Sequence, residues 1–236
     1  MIRVFAVILL AVVLSSFGVA INTGLIASYN LNRNTGKINK DNNFGNNGTI
    51  IGDAYFKNNF YYFDGSGDGV TTPFNSRYDI TNRFTFIFWA KPDNLTAASF
   101  KTIFGRQNSL ANNSVWALTW ELTNDSYSLY TSAATGTNPY ASSHMAITDT
   151  KWHQICYTYD GVTLRGYIDG IIKINTTITF SLASSTKVVS FGIGDSGLTA
   201  TTSFLGYLNM GNMYNRPLLH QEILNKYIDE KKSHIN

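Results

Sequence analysis

The 236-residue chain contains one cysteine, four prolines and few charged residues. A single cysteine cannot form an internal disulfide, so the hydrophobic core has to stabilise the fold. Charged residues make up 14% of the sequence, against about 25% in an average domain. The net charge is +3, and no cluster of lysine and arginine interleaved with aromatic residues occurs. The chain therefore lacks the electrostatic signature of a nucleic-acid-binding protein, and we predict no nucleic-acid partner.

Aromatic and uncharged polar residues are abundant instead. Hydrophobic residues make up 44% of the sequence and aromatic residues 14%, which is enough to build a full core. Asparagine, serine and threonine supply most of the polarity in place of charge. A surface of amides and hydroxyls favours an extracellular module that meets neutral polar partners such as glycans.

Residues 1–20 have the pattern of a signal peptide. Arg3 precedes an unbroken apolar run over residues 4–14, and the small residues at 18–20 suit a cleavage site. The alternative is a retained membrane anchor, because the whole stretch is at the lower limit of length for a membrane-spanning helix. We predict a secreted or extracellular-surface protein, with membrane contact only if this segment is retained.

The rest of the chain, residues 24–236, is predicted to form one all-β domain. Short runs of β-branched and aromatic residues alternate with turn residues, and about twelve strands can be distinguished. The strongest strand is "RFTFIFWAKP". Asp160–Gly161 and Asp169–Gly170 are spaced as the turns of two consecutive hairpins. Only the tail, from about Leu218 to Lys231, has helical spacing.

Five stretches occur in a characteristic order. They are "GLIASYNL…NFGNNGTI", "YYFDGSGDGVTTP", "RFTFIFWAKP", "KWHQICYTYDGVTLRGYIDG" and the tail "GIGDSGLTATTSFLGYLNMGNMYNRPLLHQEI". In this order they resemble the laminin-G-like, concanavalin A-like lectin/glucanase jelly-roll family. The resemblance covers about Gly24 to Tyr227. It implies an antiparallel two-sheet jelly-roll sandwich with a short C-terminal helix.

In the fourth stretch, Trp152 is predicted to anchor a strand edge in the core. His153 has no carboxylate or second histidine at ligand spacing, so we interpret it as structural. Cys156 lies in the middle of a predicted strand, which indicates packing rather than nucleophilic chemistry.

Enzymatic activity is not predicted, although the resemblance includes glucanases. Such enzymes need two carboxylates that flank the scissile bond. The chain has only three glutamates, and two of them fall in the predicted helix. Glu121 is followed by Asp125 at a spacing of four rather than two, so strand alternation does not place both on one face. We predict no catalytic residues.

The resemblance also implies a calcium ion between the Asn/Gly-rich opening loop and the penultimate strand. Asp41 and Asn209 occupy the matching positions, and oxygen ligands suit this ion. Asn209 brings no charge, and Asp41 is displaced by about one residue from the usual loop position, so a weakened site is expected. The alternative is that Asp41 caps a turn.

A glycan site requires exposed aromatic rings beside amide or carboxylate groups. Trp120, Tyr130 and Tyr140 are the predicted ligand-binding residues, and the alternative for each is a place in the core. We predict a secreted or surface-displayed, non-enzymatic recognition module for carbohydrate binding or adhesion, with glycans or other surface proteins as partners. The second hypothesis is a self-associating structural subunit of an extracellular envelope, filament or virion. A glycoside hydrolase is the third.

Overall fold

A computed structural model describes most of the predicted domain. The described residues form 18 strands and one α-helix, arranged as two large antiparallel sheets and a small two-stranded one. The predicted jelly-roll sandwich with a C-terminal helix is therefore confirmed. The predicted signal peptide, residues 1–20, lies outside the described residues. Those are 23–30, 38–39, 41, 44–58, 60–95, 100–106, 115–121, 125–131, 133–136, 138–140, 143–194 and 203–234.

Within these ranges, no helix is both long enough and apolar enough to cross a membrane.

The first sheet has eight strands. In spatial order it runs through β15 (Ile171–Thr177), β14 (Thr163–Ile168), β13 (His153–Tyr159), β7 (Phe84–Pro92), β18 (Leu205–Tyr214), β5 (Phe60–Asp64) and β4 (Tyr55–Lys57), and β1 (Leu25–Tyr29) pairs with β18.

The second sheet also has eight strands. Its order is β12 (Met145–Ala146), β10 (Ser126–Tyr130), β9 (Trp116–Glu121), β8 (Lys101–Arg106), β17 (Ser190–Phe191), β6 (Gly69–Thr71), β3 (Gly48–Ile51) and β2 (Ile38–Asn39). Beside the two sheets, β11 (Ala133–Gly136) pairs with β16 (Phe180–Leu182).

The main core lies between the two large sheets. Strand alternation sends Phe84, Phe86 and Phe88 of β7 into this core, where the ring centroids of Phe86 and Trp116 are 4.1 Å apart. The other face of the first sheet is covered by a smaller cluster around the helix. Its members include Cys156, which is fully buried, and burial raises the pKa of its thiol. Cys156 is therefore a packing residue, as predicted.

Both predicted Asp-Gly turns are present. Asp160 Oδ1 accepts hydrogen bonds from the N–H groups of Val162 and Thr163 between β13 and β14. Asp169 and Gly170 both have positive φ, 55° and 74°, between β14 and β15. Asparagine, aspartate and glycine tolerate this conformation best, which is why the pair forms a tight turn there.

The helix α1 spans His220–Glu230, inside the predicted range. Glu222 fixes its start, because its carboxylate accepts from the N–H of Leu219 and pairs with Arg216 at 2.6 Å. Glu230 fixes its end to the first sheet by accepting a hydrogen bond from Trp89 Nε1 at 2.7 Å. The C-terminus of the chain is thereby held over β7 and β13.

Candidate functional site

The candidate site lies on the outer face of the second sheet, where β9 and β10 run side by side. Trp116, Leu118 and Trp120 alternate into the core between the sheets, so Glu121 at the end of β9 points to the opposite face. Across the ladder, Glu121 is paired with Ser126.

Glu121 is the centre of this face. Its side chain is buried, with the residue 1% exposed, and Oε2 accepts a hydrogen bond from the Tyr140 hydroxyl at 2.5 Å. The same oxygen lies 3.7 Å from His144 Nδ1. Oε1 has no hydrogen-bond partner in the described part of the chain. Oε1 itself is closed to solvent, so Glu121 acts on the surface by orienting the Tyr140 hydroxyl, whose oxygen can still accept a hydrogen bond.

Tyr140 is held in its protonated form. Burial, and then the hydrogen bond to Glu121 and its charge, raise the pKa of the Tyr140 phenol well above its usual range. The hydroxyl therefore remains a donor to Glu121 at any physiological pH.

Aromatic rings surround the carboxylate. The ring centroid of Tyr140 lies 5.7 Å from that of Tyr130, 5.9 Å from that of Phe100 and 4.9 Å from that of His144. His144 Nδ1 is also 2.9 Å from Ser128 Oγ. Tyr130 and Tyr140 are both half-buried, so part of each ring is open to a ligand. The arrangement joins aromatic surface to a fixed hydrogen-bond acceptor.

Two of the three predicted ligand-binding residues, Tyr130 and Tyr140, are brought together here. Trp120 is not among them. It is 2% exposed, and its ring packs 4.9 Å from that of Tyr127 in the core between the sheets. The sequence carried a signal for this, because Trp120 alternates with Glu121 and so shares the face of Trp116.

Sequence reasoning considered Glu121 only as a catalytic group and did not assign it to a binding site. The signal was a lone glutamate at the end of an otherwise uncharged strand. The Glu121 carboxylate contacts the Tyr140 phenol and the His144 imidazole, and no second carboxylate is paired with it within the described ranges. A glycosidase site needs two carboxyl groups.

Asp41, one of the two residues of the predicted calcium site, lies beside the end of β1. Asp41 makes a β-bridge with Tyr29, and its Oδ1 accepts from the Ser28 N–H at 3.4 Å. Asn47 Oδ1 accepts from the Asp41 N–H at 3.1 Å. The Asn/Gly-rich loop therefore does meet Asp41, and the charge of Asp41 acts on Tyr29, whose ring packs on Phe191 of the second sheet.

Asn209 faces the other way. Its Nδ2 donates to His234 Nε2 at 2.8 Å, and His234 stacks on Trp89 with ring centroids 4.0 Å apart. The Asn209 side chain thus lies on the helix-covered face of β18, away from the core between the sheets. Calcium held jointly by Asp41 and Asn209 stays a prediction. Calcium at Asp41 stays a prediction that needs other loop oxygens as ligands.

A separate acidic cluster, Asp53, Asp64 and Asp68, has ligand atoms within 4.8 Å of one another. Both oxygens of buried Asp68 are already used, since they accept from the N–H groups of Asp53 and Asp64 at 2.8 and 3.1 Å. Burial raises the pKa of the Asp68 carboxyl. This carboxylate organises the turn between β5 and β6.

The structure contradicts the prediction that His153 has no carboxylate nearby. Its Nδ1 is 2.8 Å from Asp169 Oδ2, and its Nε2 is 2.9 Å from Asp149 Oδ1. Both ring nitrogens are therefore bonded, which leaves neither for a metal. The structural role predicted for His153 agrees with this geometry, but the partners come from two different turns.

A family model described as the concanavalin A-like lectin/glucanases superfamily matches residues 63–224. No curated protein matches the chain. Among solved structures, Trypanosoma rangeli sialidase in complex with sialic acid superposes with a TM-score of 0.66 at 16% identity, over 91% of this chain and 34% of the sialidase. The chain thus spans about a third of the length of that enzyme.

Domain 4 of AbnA, a GH43 extracellular arabinanase from Geobacillus stearothermophilus in complex with arabinotriose, gives a TM-score of 0.63 at 18% identity, over 85% of this chain and 97% of that domain. The receptor binding domain of botulinum neurotoxin D is 17% identical over 89% of this chain and 54% of its own, with a TM-score of 0.65. At these identities the likeness is one of fold.

Proposed function

Because this chain belongs to the concanavalin A-like lectin/glucanases superfamily, we propose that it is a secreted or surface-displayed recognition module that binds carbohydrate without cleaving it. The observation that carries the proposal is the combination of two half-buried tyrosine rings, Tyr130 and Tyr140, with the buried carboxylate of Glu121 that fixes the Tyr140 hydroxyl.

The chemistry of this face suits a neutral sugar. The apolar face of a pyranose ring packs on Tyr130 or Tyr140, and a sugar hydroxyl donates to the Tyr140 hydroxyl oxygen, whose own proton is directed to Glu121. Tyrosine supplies such contact area at low entropic cost, because it has few rotatable bonds. A carboxylate at the centre of the site repels acidic sugars, so the expected ligand is an uncharged saccharide.

The sugar complexes of two structural neighbours support carbohydrate as the ligand class. The sialidase binds sialic acid, and the arabinanase domain binds arabinotriose. That domain is matched over nearly its whole length, which supports a role for this fold as a separate binding module.

The test is a glycan array followed by calorimetric titration of the best neutral ligand. Tyr140→Phe keeps the ring and removes the hydroxyl that orients Glu121, so we expect affinity to fall roughly tenfold, as for loss of a hydrogen bond to a charged group. Tyr62→Phe is the matched control, because Tyr62 also donates to a carboxylate, Asp93, at 2.7 Å on the other sheet.

We expect Glu121→Gln to weaken neutral glycans to a similar degree. Unchanged affinity in both Tyr140→Phe and Glu121→Gln would place glycan binding elsewhere. A blank array would remove carbohydrate as the ligand of this site.

Self-association is the second candidate function, and one observation favours it. β15 is the terminal strand of the first sheet, and Ile171 and Ile172 at its start are 59% and 41% exposed. An exposed apolar edge strand can pair with another chain. Light scattering across a concentration series tests this. We expect Ile172→Lys to abolish any oligomer, and Val162→Lys, on the turn between β13 and β14, to leave it intact.

A further inference from the structure

A groove of about 670 Å³ is lined by residues of the first sheet and shares none of its lining residues with the face of Tyr130 and Tyr140. Phe60 at the start of β5, Trp152 just before β13 and Tyr207 on β18 form its walls, with His234 from the C-terminal turn. Its volume falls in the range of small-molecule sites.

The aromatic walls are built as a unit. The ring centroid of Trp152 lies 4.7 Å from that of Phe60, 5.0 Å from that of His234 and 6.2 Å from that of Tyr207. Trp152 and Phe60 are both half-buried, so each is fixed by packing and still exposes part of its ring. Trp152 was predicted to lie in the core, and the structure instead places it on the rim of this groove.

The charge of the groove is of one sign. Lys91 and Lys151 line it, and no aspartate or glutamate is among its lining residues. Lys151 is paired with Asp149 at 3.4 Å. Lys91 Nζ lies 5.3 Å from the ring centroid of Tyr207, and no carboxylate is ion-paired with it in the part of the chain that the structure covers. Lys91 is thus a positive charge held over an aromatic wall without an anionic partner.

His234 adds no charge at neutral pH. Burial lowers the pKa of its imidazole, which outweighs the opposing effect of Glu230. The unbalanced charge of the groove therefore comes from lysine.

The geometry points to a second binding site, for a saccharide unit that carries a carboxylate. The sugar ring packs on Trp152, and the carboxylate reaches Lys91. Asn58, Thr150 and Ser233 line the groove with polar groups for the sugar hydroxyls. A neutral sugar or an apolar side chain would cover the aromatic wall but leave Lys91 without a counter-charge. This site goes beyond the proposed function, because it uses the other sheet and selects acidic rather than neutral saccharides.

The test compares methyl β-D-glucuronide with methyl β-D-glucoside, which differ only by a carboxylate in place of a hydroxymethyl group. In ligand-observed NMR titrations of the full chain, we expect the glucuronide to bind about fivefold more tightly at low salt, the gain expected of one partly exposed ion pair. The preference should shrink at 0.5 M NaCl because salt screens the pair.

Lys91→Gln should remove the preference for glucuronide and leave glucoside binding unchanged. Lys187→Gln is the matched control, since Lys187 is equally half-buried but lies before β17 on the second sheet. Tyr140→Phe should leave glucuronide binding unchanged, which separates this site from the one on β9 and β10. Equal binding of the two sugars, or a preference that survives Lys91→Gln, would overturn the inference. The inference would also be overturned if the Trp152→Phe and Lys91→Gln proteins both bound the glucuronide with wild-type affinity in these titrations.

Discussion

His153 and Asp169 are joined by a hydrogen bond of 2.8 Å between Nδ1 and Oδ2, which ties the start of β13 to the turn after β14. Asp169 Oδ1 also accepts from the Gln154 N–H at 2.9 Å. Asp149 holds the other ring nitrogen. The Trp-His motif and the second Asp-Gly turn therefore form one structural unit.

This unit predicts a pH-dependent stability. Burial lowers the pKa of His153, but the hydrogen bonds and charges of Asp169 and Asp149 outweigh it, so the net pKa is raised. A raised folded-state pKa gives stability that is fully present below the unfolded value of about 6.5 and is lost as the pH rises through the folded value. The Tm difference between wild type and His153→Gln should therefore be largest below pH 6.5 and shrink towards pH 9.

Asp149 sets the acidic limit of the same effect. The Lys151 N–H, and then the hydrogen bond to His153, lower the pKa of Asp149 to about 2. Its contribution is present above the unfolded value of about 3.9 and is lost as the pH falls towards 2.

His220→Gln serves as the control for His153→Gln, because His220 is exposed at the start of α1. A His153→Gln difference that grows above pH 7 would contradict the assignment.

The core between the sheets predicts a large effect for Phe86. Phe86→Ala removes a fully buried ring that stacks on Trp116 at 4.1 Å. We expect a loss of about 3–5 kcal/mol in the free energy of unfolding, measured by urea denaturation. Phe74→Ala, at a 47% exposed position, should cost no more than about 1 kcal/mol. Similar losses in the two variants would mean that the β7 register is wrong.

Local signals in the sequence were sufficient to predict the turns and the helix. Asp160 accepts hydrogen bonds from backbone N–H groups two and three residues away, so its turn is determined by one short stretch of sequence. Alternation likewise shows that Phe84, Phe86 and Phe88 of β7 share one face, which the structure places in the core between the sheets. These features depend on neighbours in the chain, which a sequence shows directly.

Contacts between distant segments could not be predicted in the same way. Tyr140 meets Glu121 across 19 residues, and Trp152 meets His234 across most of the C-terminal half. Both contacts depend on how strands are ordered within each sheet. Trp120 was misplaced for a different reason, since the alternation with Glu121 that sends it inward was not applied to it.

Calcium binding is tested by melting in the presence of EDTA. An ion bound only by the native state stabilises it by mass action, so EDTA should lower the Tm and Ca²⁺ should restore it. We expect Asp41→Asn to abolish this response. Asn209→Asp should leave it unchanged, because residue 209 faces His234. A Tm that does not change on addition of EDTA would contradict calcium binding.

The last prediction is that the protein does not hydrolyse glycosidic bonds. A retaining site needs two carboxyl groups about 5–5.5 Å apart and an inverting site about 6.5–9.5 Å, facing one cleft. The Glu121 carboxylate is instead bonded to the Tyr140 hydroxyl and adjoins His144, and neither group is a second carboxyl. Asp125, the nearest acidic residue in sequence, has φ of 44° in the turn that leads into β10.

We therefore expect no release of reducing sugar from β-glucan or arabinan by the wild-type protein over days at high enzyme concentration. Glu121→Gln should change the affinity for neutral glycans, and the variant should likewise release no reducing sugar. Hydrolysis that is present in wild type and lost in Glu121→Gln would make Glu121 a catalytic residue, and Asp125→Asn would then show whether the second carboxyl comes from the β9–β10 turn. Hydrolysis that persists in Glu121→Gln would point to a contaminating enzyme or to a different site.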